Sequence, residues 1–234
     1  MIDVVCFKWG TKFGPEYVNK FYRAVQRNTT VEHNFICYTD DPVGVECETR
    51  PFLADLPFWW YIIGLTNPAH NHSDRTFYFD LDTIVTGNID HLLSMDKPFA
   101  TISDFVRPKG LQTAFIMWDK ESGAKIWEYF TKRYQPEDYA NLDCSVTVPG
   151  GTNQFLEEAM GVVDINKNPV PGAQPPIPVC RIQDVWPKQF FSFKRNIRRE
   201  HRNQLPPDTR LVFFHGNPMP HEMHNLPWMK EHWV

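Results

Sequence analysis

The first apolar run of the chain falls within residues 3–7 (DVVCF) and is too short and β-branched for a helix, which predicts a buried opening strand. After Gly14-Pro15 the period changes. Tyr17, Val18, Phe21, Tyr22 and Val25 recur three and four apart, the stripe of a helix that tolerates proline in its first turn. Residues 34–38 predict a second strand ending in Thr39-Asp40-Asp41, and the continuous apolar and aromatic run 56–65 predicts a buried helix. Strands are predicted again over 76–81, 99–103, 113–118 and 211–214. Between them, residues 120–134 predict a helix with Ile126, Trp127, Phe130 and Tyr134 inward, and Thr152 is placed to cap a short helix reaching Met160. This alternation predicts an α/β fold with a largely parallel sheet, in which ligands sit beyond the carboxyl ends of strands.

The third strand delivers FYFDLDTIVTGNID, residues 77–90. If the strand continues to residue 81, its alternation turns Asp80 and Asp82 to one side and Phe79 and Leu81 to the other. Paired carboxylates repel and are costly to bury, so a cation is expected. Two hard oxygen donors suit a divalent ion with positions left open for phosphate oxygens. The last predicted strand ends in the same way: RLVFFHGNPMP places His215-Gly216 after an apolar run. A neutral imidazole can complete a site begun by two carboxylates, and a mixed oxygen and nitrogen set accommodates Mn²⁺.

At 234 residues one domain with a substantial core is expected. Apolar content of 42% and aromatic content of 15% exclude a disordered chain. A formal charge of −4 gives no cationic field for nucleic acid. The one basic run, KRNIRREHR over residues 194–202, is expected to be a solvated helix face, with a phosphate clamp or a peripheral membrane contact as sharper alternatives. Five cysteines without CxxC spacing, with Cys6 and Cys37 inside apolar runs, suggest reduced thiols and a cytoplasmic setting. No stretch is long and apolar enough to span a bilayer, and MIDVVCF opens as a strand, so no signal peptide is expected. The proline-rich segment 168–178 is expected to be a stiff surface loop, or else a wall of an acceptor site.

DLDTIVTGNIDHL resembles the DXD segment of GT-A glycosyltransferases, and together with FFHGNPMP the chain resembles their glycogenin-like and family 8-like group. The resemblance implies a Rossmann-like GT-A fold over residues 1–234, with a mainly parallel central sheet flanked by helices. It implies metal-dependent transfer of a sugar from a nucleoside diphosphate, UDP favoured, to a hydroxyl of a glycan or glycoconjugate, with retention of configuration. Asp80, Asp82 and His215 would bind Mn²⁺, or Mg²⁺ in its place, with Asp80 also near the ribose. Phe7, Lys8, Trp9, Gly10, Thr39 and Asp40 would hold the nucleoside, and Leu81 and Gly216 would line the donor. Gln112-Thr113-Ala114 falls where the family has its sugar-contacting Asn-Ser/Thr-Gly. Thr152-Asn153-Gln154 falls at the family's Gly-Asp-Gln, which puts Asn153 and Gln154 at the reactive face. A cation bridging both phosphates stabilises the leaving diphosphate, while the protein orients the reactants and excludes water.

The chain departs from that pattern. Met219 stands near the place of a diphosphate-binding lysine, with Lys8, Lys194 and Lys230 as candidate substitutes. Asn153 replaces a common aspartate, and WWYIIGL lacks the basic residue often found after the tryptophans. Asp104, Glu157 and Glu158 are conceivable bases for an inverting route. FDLDTI also resembles the first motif of haloacid-dehalogenase-type phosphatases, but Ile84 departs from it and a strand, helix and strand precede it. A GT-A module that binds without transfer is a third reading. HEMH (residues 221–224) has its histidines three apart rather than four, so surface histidines are expected rather than zinc ligands. HNH (70–72) reads as a loop before a strand, and Trp59-Trp60 as core more than acceptor platform.

Overall fold

The computed structural model describes residues 1–142, 151–161 and 177–234. Its strands in chain order are β1 (Ile2–Lys8), β2 (His33–Thr39), β3 (Glu48–Arg50), β4 (Arg75–Phe79), β5 (Thr83–Val85), β6 (Phe99–Ser103), β7 (Leu111–Asp119), β8 (Val179–Arg181), β9 (Phe190–Ser192) and β10 (Leu211–Phe213). The helices are α1 (Pro15–Asn28), α2 (Tyr61–Gly64), α3 (Asp90–Leu93), α4 (Lys120–Arg133), α5 (Thr152–Ala159), α6 (Ile182–Val185) and α7 (Pro227–His232).

Seven strands form a central sheet in the order β3-β2-β1-β4-β7-β6-β8. Its pairings are parallel except around β7, which runs antiparallel to both β4 and β6. The sheet is therefore mainly parallel, as the alternation of elements predicts. Every residue of β1 is buried, because helical layers cover both of its faces. Val4 and Cys6 join a cluster with Val18, Phe21 and Val25 of α1, while Val5 and Phe7 join one with Trp60, Ile63, Tyr78 and Phe130. A smaller sheet, β5-β10-β9, lies beyond the end of β4; of its strands only β10 matches a predicted one, that over 211–214.

Four expectations need correction. Residues 56–65 do not form one helix. Pro57 holds Leu56 outside the helical region, Phe58 takes φ +46°, and a tight turn Phe58–Trp60 leads into the single turn of α2. β4 stops at Phe79, so Asp80 and Asp82 lie on a turn closed by Thr83 N–H donating to the Asp80 carbonyl (3.1 Å), and strand alternation does not orient them. Thr152 is the first residue of α5 rather than its cap, which is Gly151. The basic run does not begin as a solvated face: Phe193–Arg198 is a wide helical turn with Phe193 and Ile197 buried.

Trp60 is core, 1% exposed. Cys6 and Cys37 are buried free thiols, opposite one another in the β1–β2 register. Residues 168–176 of the proline-rich segment lie outside the described residues. Among the described residues, no helix is long and apolar enough to cross a membrane.

Candidate active site at the carboxyl edge of the sheet

Parallel pairing brings the ends of β1 and β2 side by side, with Lys8 opposite Thr39. The loops that follow are tied together: Gly10 N–H donates to the Asp40 carboxylate (3.0 Å), and Lys8 Nζ donates to the Asp41 carbonyl (3.2 Å). Thr39 Oγ1 bonds the Asp41 backbone in both directions. Of the residues expected around a nucleoside, Phe7 is instead core, stacked on Tyr78 at 5.8 Å. Trp9 remains half-buried and meets the exposed Phe58 at 4.9 Å, forming an aromatic wall at this rim.

The Asp80–Asp82 turn lies at the same edge. Asp80 N–H donates to the Ala114 carbonyl of β7 (3.0 Å), which places the start of β7 beside the acids. The Tyr78 hydroxyl donates to Asp80 Oδ1. Asp82 is 7% exposed, and Leu81 is buried in the main core rather than lining the rim. Burial pushes both carboxyls up. At Asp80 the Tyr78 hydrogen bond and Lys12 oppose the rise; at Asp82 the charge of Asp80 adds to it, against Lys12 and Lys194. Lys12 itself sits 4.0 Å over the Trp59 ring, so that tryptophan forms part of the surface near the site.

Phe214 N–H donates to the Asp82 carbonyl (3.1 Å), which joins the end of β10 to the acidic turn and puts His215 and Gly216 next to it. The half-buried His215 ring stacks on Phe105, with centroids 5.9 Å apart. Its Nε2 lies 2.6 Å from Ser192 Oγ. Burial and then the charge of Lys194 pull its pKa down, against Asp104. Among the described residues, no three His, Cys, Asp or Glu side chains are grouped so that they could hold a metal ion, and His215, turned to Ser192, does not complete such a set with Asp80 and Asp82. The donor chemistry of Asp80 and Asp82 fits a hard divalent cation, since their oxygens share a desolvated turn where, among the described residues, neither carboxylate makes an ion pair.

The start of α5 is locked to β7. Asn153 Oδ1 accepts from both Thr113 N–H and Thr113 Oγ1, each at 2.9 Å. Gln154 Nε2 donates to Glu158 (2.6 Å), along the helix. Gln112 Oε1 is buried at this edge without a hydrogen-bond partner among the described residues. All three conceivable bases are engaged. Glu157, 1% exposed, accepts from Arg107 and from Leu111 N–H, while Asp104 accepts from Val106 N–H and from the Arg107 backbone and guanidinium. Glu158 pairs with Arg133.

Away from the site, the histidine motifs are structural. His221 is 2.6 Å from the Tyr17 hydroxyl, and His224 bonds the His221 carbonyl. His70 and His72 lie just before β4, as expected, and are buried, His72 against the Asp3 carboxylate at 3.3 Å. Sequence reading does not single out Lys12, Tyr78 or Ser192. Tyr78 carries a usable signal, two residues before Asp80, whereas Ser192 carries none, because its role depends on β9 pairing with β10.

No protein-family model and no curated protein matches the chain. Among solved structures, the galactosyltransferase LgtC, crystallised with donor and acceptor sugar analogs, matches with TM-score 0.56 at 11% identity, over 94% of this chain and 89% of that one. The glycosyltransferase GlyE of Streptococcus pneumoniae TIGR4 matches with TM-score 0.61 at 13% identity, over 99% of this chain and 63% of that one. The phosphatase alternative is not favoured: the acidic pair follows the fourth strand, after β1, α1 and β2. At these identities the likeness is one of fold, and the fold of this chain is that of the GT-A glycosyltransferases.

Proposed function

We propose that the chain transfers a sugar from a nucleoside diphosphate, UDP foremost, to a hydroxyl of a glycan or glycoconjugate, with retention of configuration and with Mn²⁺ or Mg²⁺ at Asp80 and Asp82. One observation carries the reading: the desolvated acidic pair occupies the rim where β1, β2 and β4 end, joined through Phe214 to the strand that bears His215. Ligands of open α/β sheets bind at such a rim. The occupation of Asp104, Glu157 and Glu158 by hydrogen bonds and ion pairs supports retention over an inverting base. The glycosyltransferase names of LgtC and GlyE support the same class of reaction.

When bound, the cation would offset the negative charge that develops on the departing diphosphate. The chain's own residues do the rest. Asp80 and Asp82 would hold the ion, with His215 beside them at the end of β10, and Trp9 with the Gly10–Asp40 loop would seat the nucleoside. Asn153 fixes Thr113 and the neighbouring Gln112 against the sugar, and the buried edge excludes water. The test is release of UDP from a panel of UDP-sugars in Mn²⁺ and in EDTA, alongside thermal stabilisation by UDP. Metal-dependent release is expected. Stabilisation without turnover would move the reading to a binding module, and neither response would overturn it.

A further inference from the structure

Three lysines could stand in for the cation that Met219 does not provide, and the structure separates them. Met219 packs against the main core, and its N–H is bound by Glu222. Lys8 is 3% exposed and turned onto Asp41. Lys230 lies exposed on α7. Lys194 differs from both: it is half-buried, and among the described residues it makes no hydrogen bond or ion pair. A Cβ built on Gly216 would lie 3.1 Å from Lys194 Nζ, so the ammonium stands directly over the loop after His215. Gly216, at φ +75°, is where a side chain would be both strained and in the way. The charge of Lys194 bears on both Asp82 and His215.

One hydroxyl holds this turn in place. Ser192, fully buried, lies opposite Phe213 in the β9–β10 register. Its Oγ accepts the Arg195 N–H (3.1 Å), capping the turn, and meets His215 Nε2 at 2.6 Å. The geometry points to the turn Phe193–Arg198, latched to His215 through Ser192, as the diphosphate grip of this site, with Lys194 as the contacting cation and Ser192 as a positioning residue. This rests on the nucleotide-sugar reading above. A half-buried ammonium without a partner gains most from an anion brought to it, and a diphosphate lying against Asp82 and Gly216 supplies that anion.

Calorimetric titration of UDP and of uridine, in Mn²⁺ buffer, tests the grip separately from the nucleoside site. Lys194→Ala should weaken UDP binding about tenfold or more, the scale of a hydrogen bond to a charged group, and leave uridine binding unchanged. Lys194→Arg should restore most of the UDP affinity. Ser192→Ala should weaken UDP by a smaller factor, again sparing uridine, while Lys230→Ala, exposed on α7, should change neither. Equal UDP affinity in wild type and Lys194→Ala overturns the grip and leaves the nucleotide reading standing, as does a wild type that binds UDP no better than uridine. Loss of uridine together with UDP in Lys194→Ala would mark a structural role and also overturn it. A wild type that binds neither ligand defeats both readings.

Discussion

Asp82 sits desolvated beside a second carboxylate, an arrangement that a fold selected for stability alone would avoid. Asp82→Asn keeps the shape of the side chain and removes the like-charge repulsion. The variant should be more stable by about 1 kcal/mol, a rise in Tm of about 2–4 °C, while metal-dependent UDP release is lost. Differential scanning fluorimetry and the release assay read the two effects, and a less stable variant with full release would refute the account. Asn153 shows a different use of a site position. Its amide oxygen accepts from Thr113 N–H and Oγ1, which ties the start of α5 to β7.

The segment before β4 carries its own titration. His70 is 9% exposed, edge-on to Tyr38 at 4.6 Å and stacked with His72. Burial, then the charge of His72, brings its pKa down to about 4, with Arg50 adding to the fall and a backbone bond at Gly64 opposing it. The unfolded chain holds a proton on His70 below about pH 6.5, where the folded chain does not. Stability from this residue is therefore complete above about pH 6.5 and declines as the pH falls towards 4. Asp80 and Asp82, whose carboxyls are pushed up, gain stability as the pH falls through the same window, so the His70 part is read from the difference between melting curves. His70→Asn should lose less stability than the wild type towards pH 4, and an identical slope would refute the assignment. Asp3, whose carboxyl is held down against the cost of burial by His72, Ser73 and Asn34, acts at lower pH and does not blur this step. Arg181 fixes another element, the loop after β6, by donating to the Lys109 and Gly110 carbonyls at 2.6 and 2.7 Å.

Across the whole molecule, the last helix closes on the first. Trp233 is 9% exposed, meets Tyr17 edge-on at 5.3 Å and lies under Lys20 Nζ at 3.9 Å. Trp233→Ala should cost about 3–5 kcal/mol in urea unfolding, the range for a large aromatic removed from a packed position. A loss much smaller than that would show that the C-terminal segment is not integral to the main core.

Local pattern sufficed wherever a period expresses itself within one element. The α1 stripe from Tyr17 to Val25, the buried β1, the inward face of α4 and the acidic pair at the end of β4 all follow from spacing and residue type. Pairing is different. The antiparallel insertion of β7, the three-stranded sheet and the turn that takes Asp80 and Asp82 off the strand depend on which distant segments pack together. The contacts that define the site share this property: Ser192 reaches His215 across 23 residues, and Thr113 reaches Asn153 across 40. Hydrophobic periodicity tells a segment which of its faces to bury. The partner it buries that face against is chosen by the packing of the whole chain, and that choice set Lys194, rather than Lys8 or Lys230, over Gly216 and near Asp82.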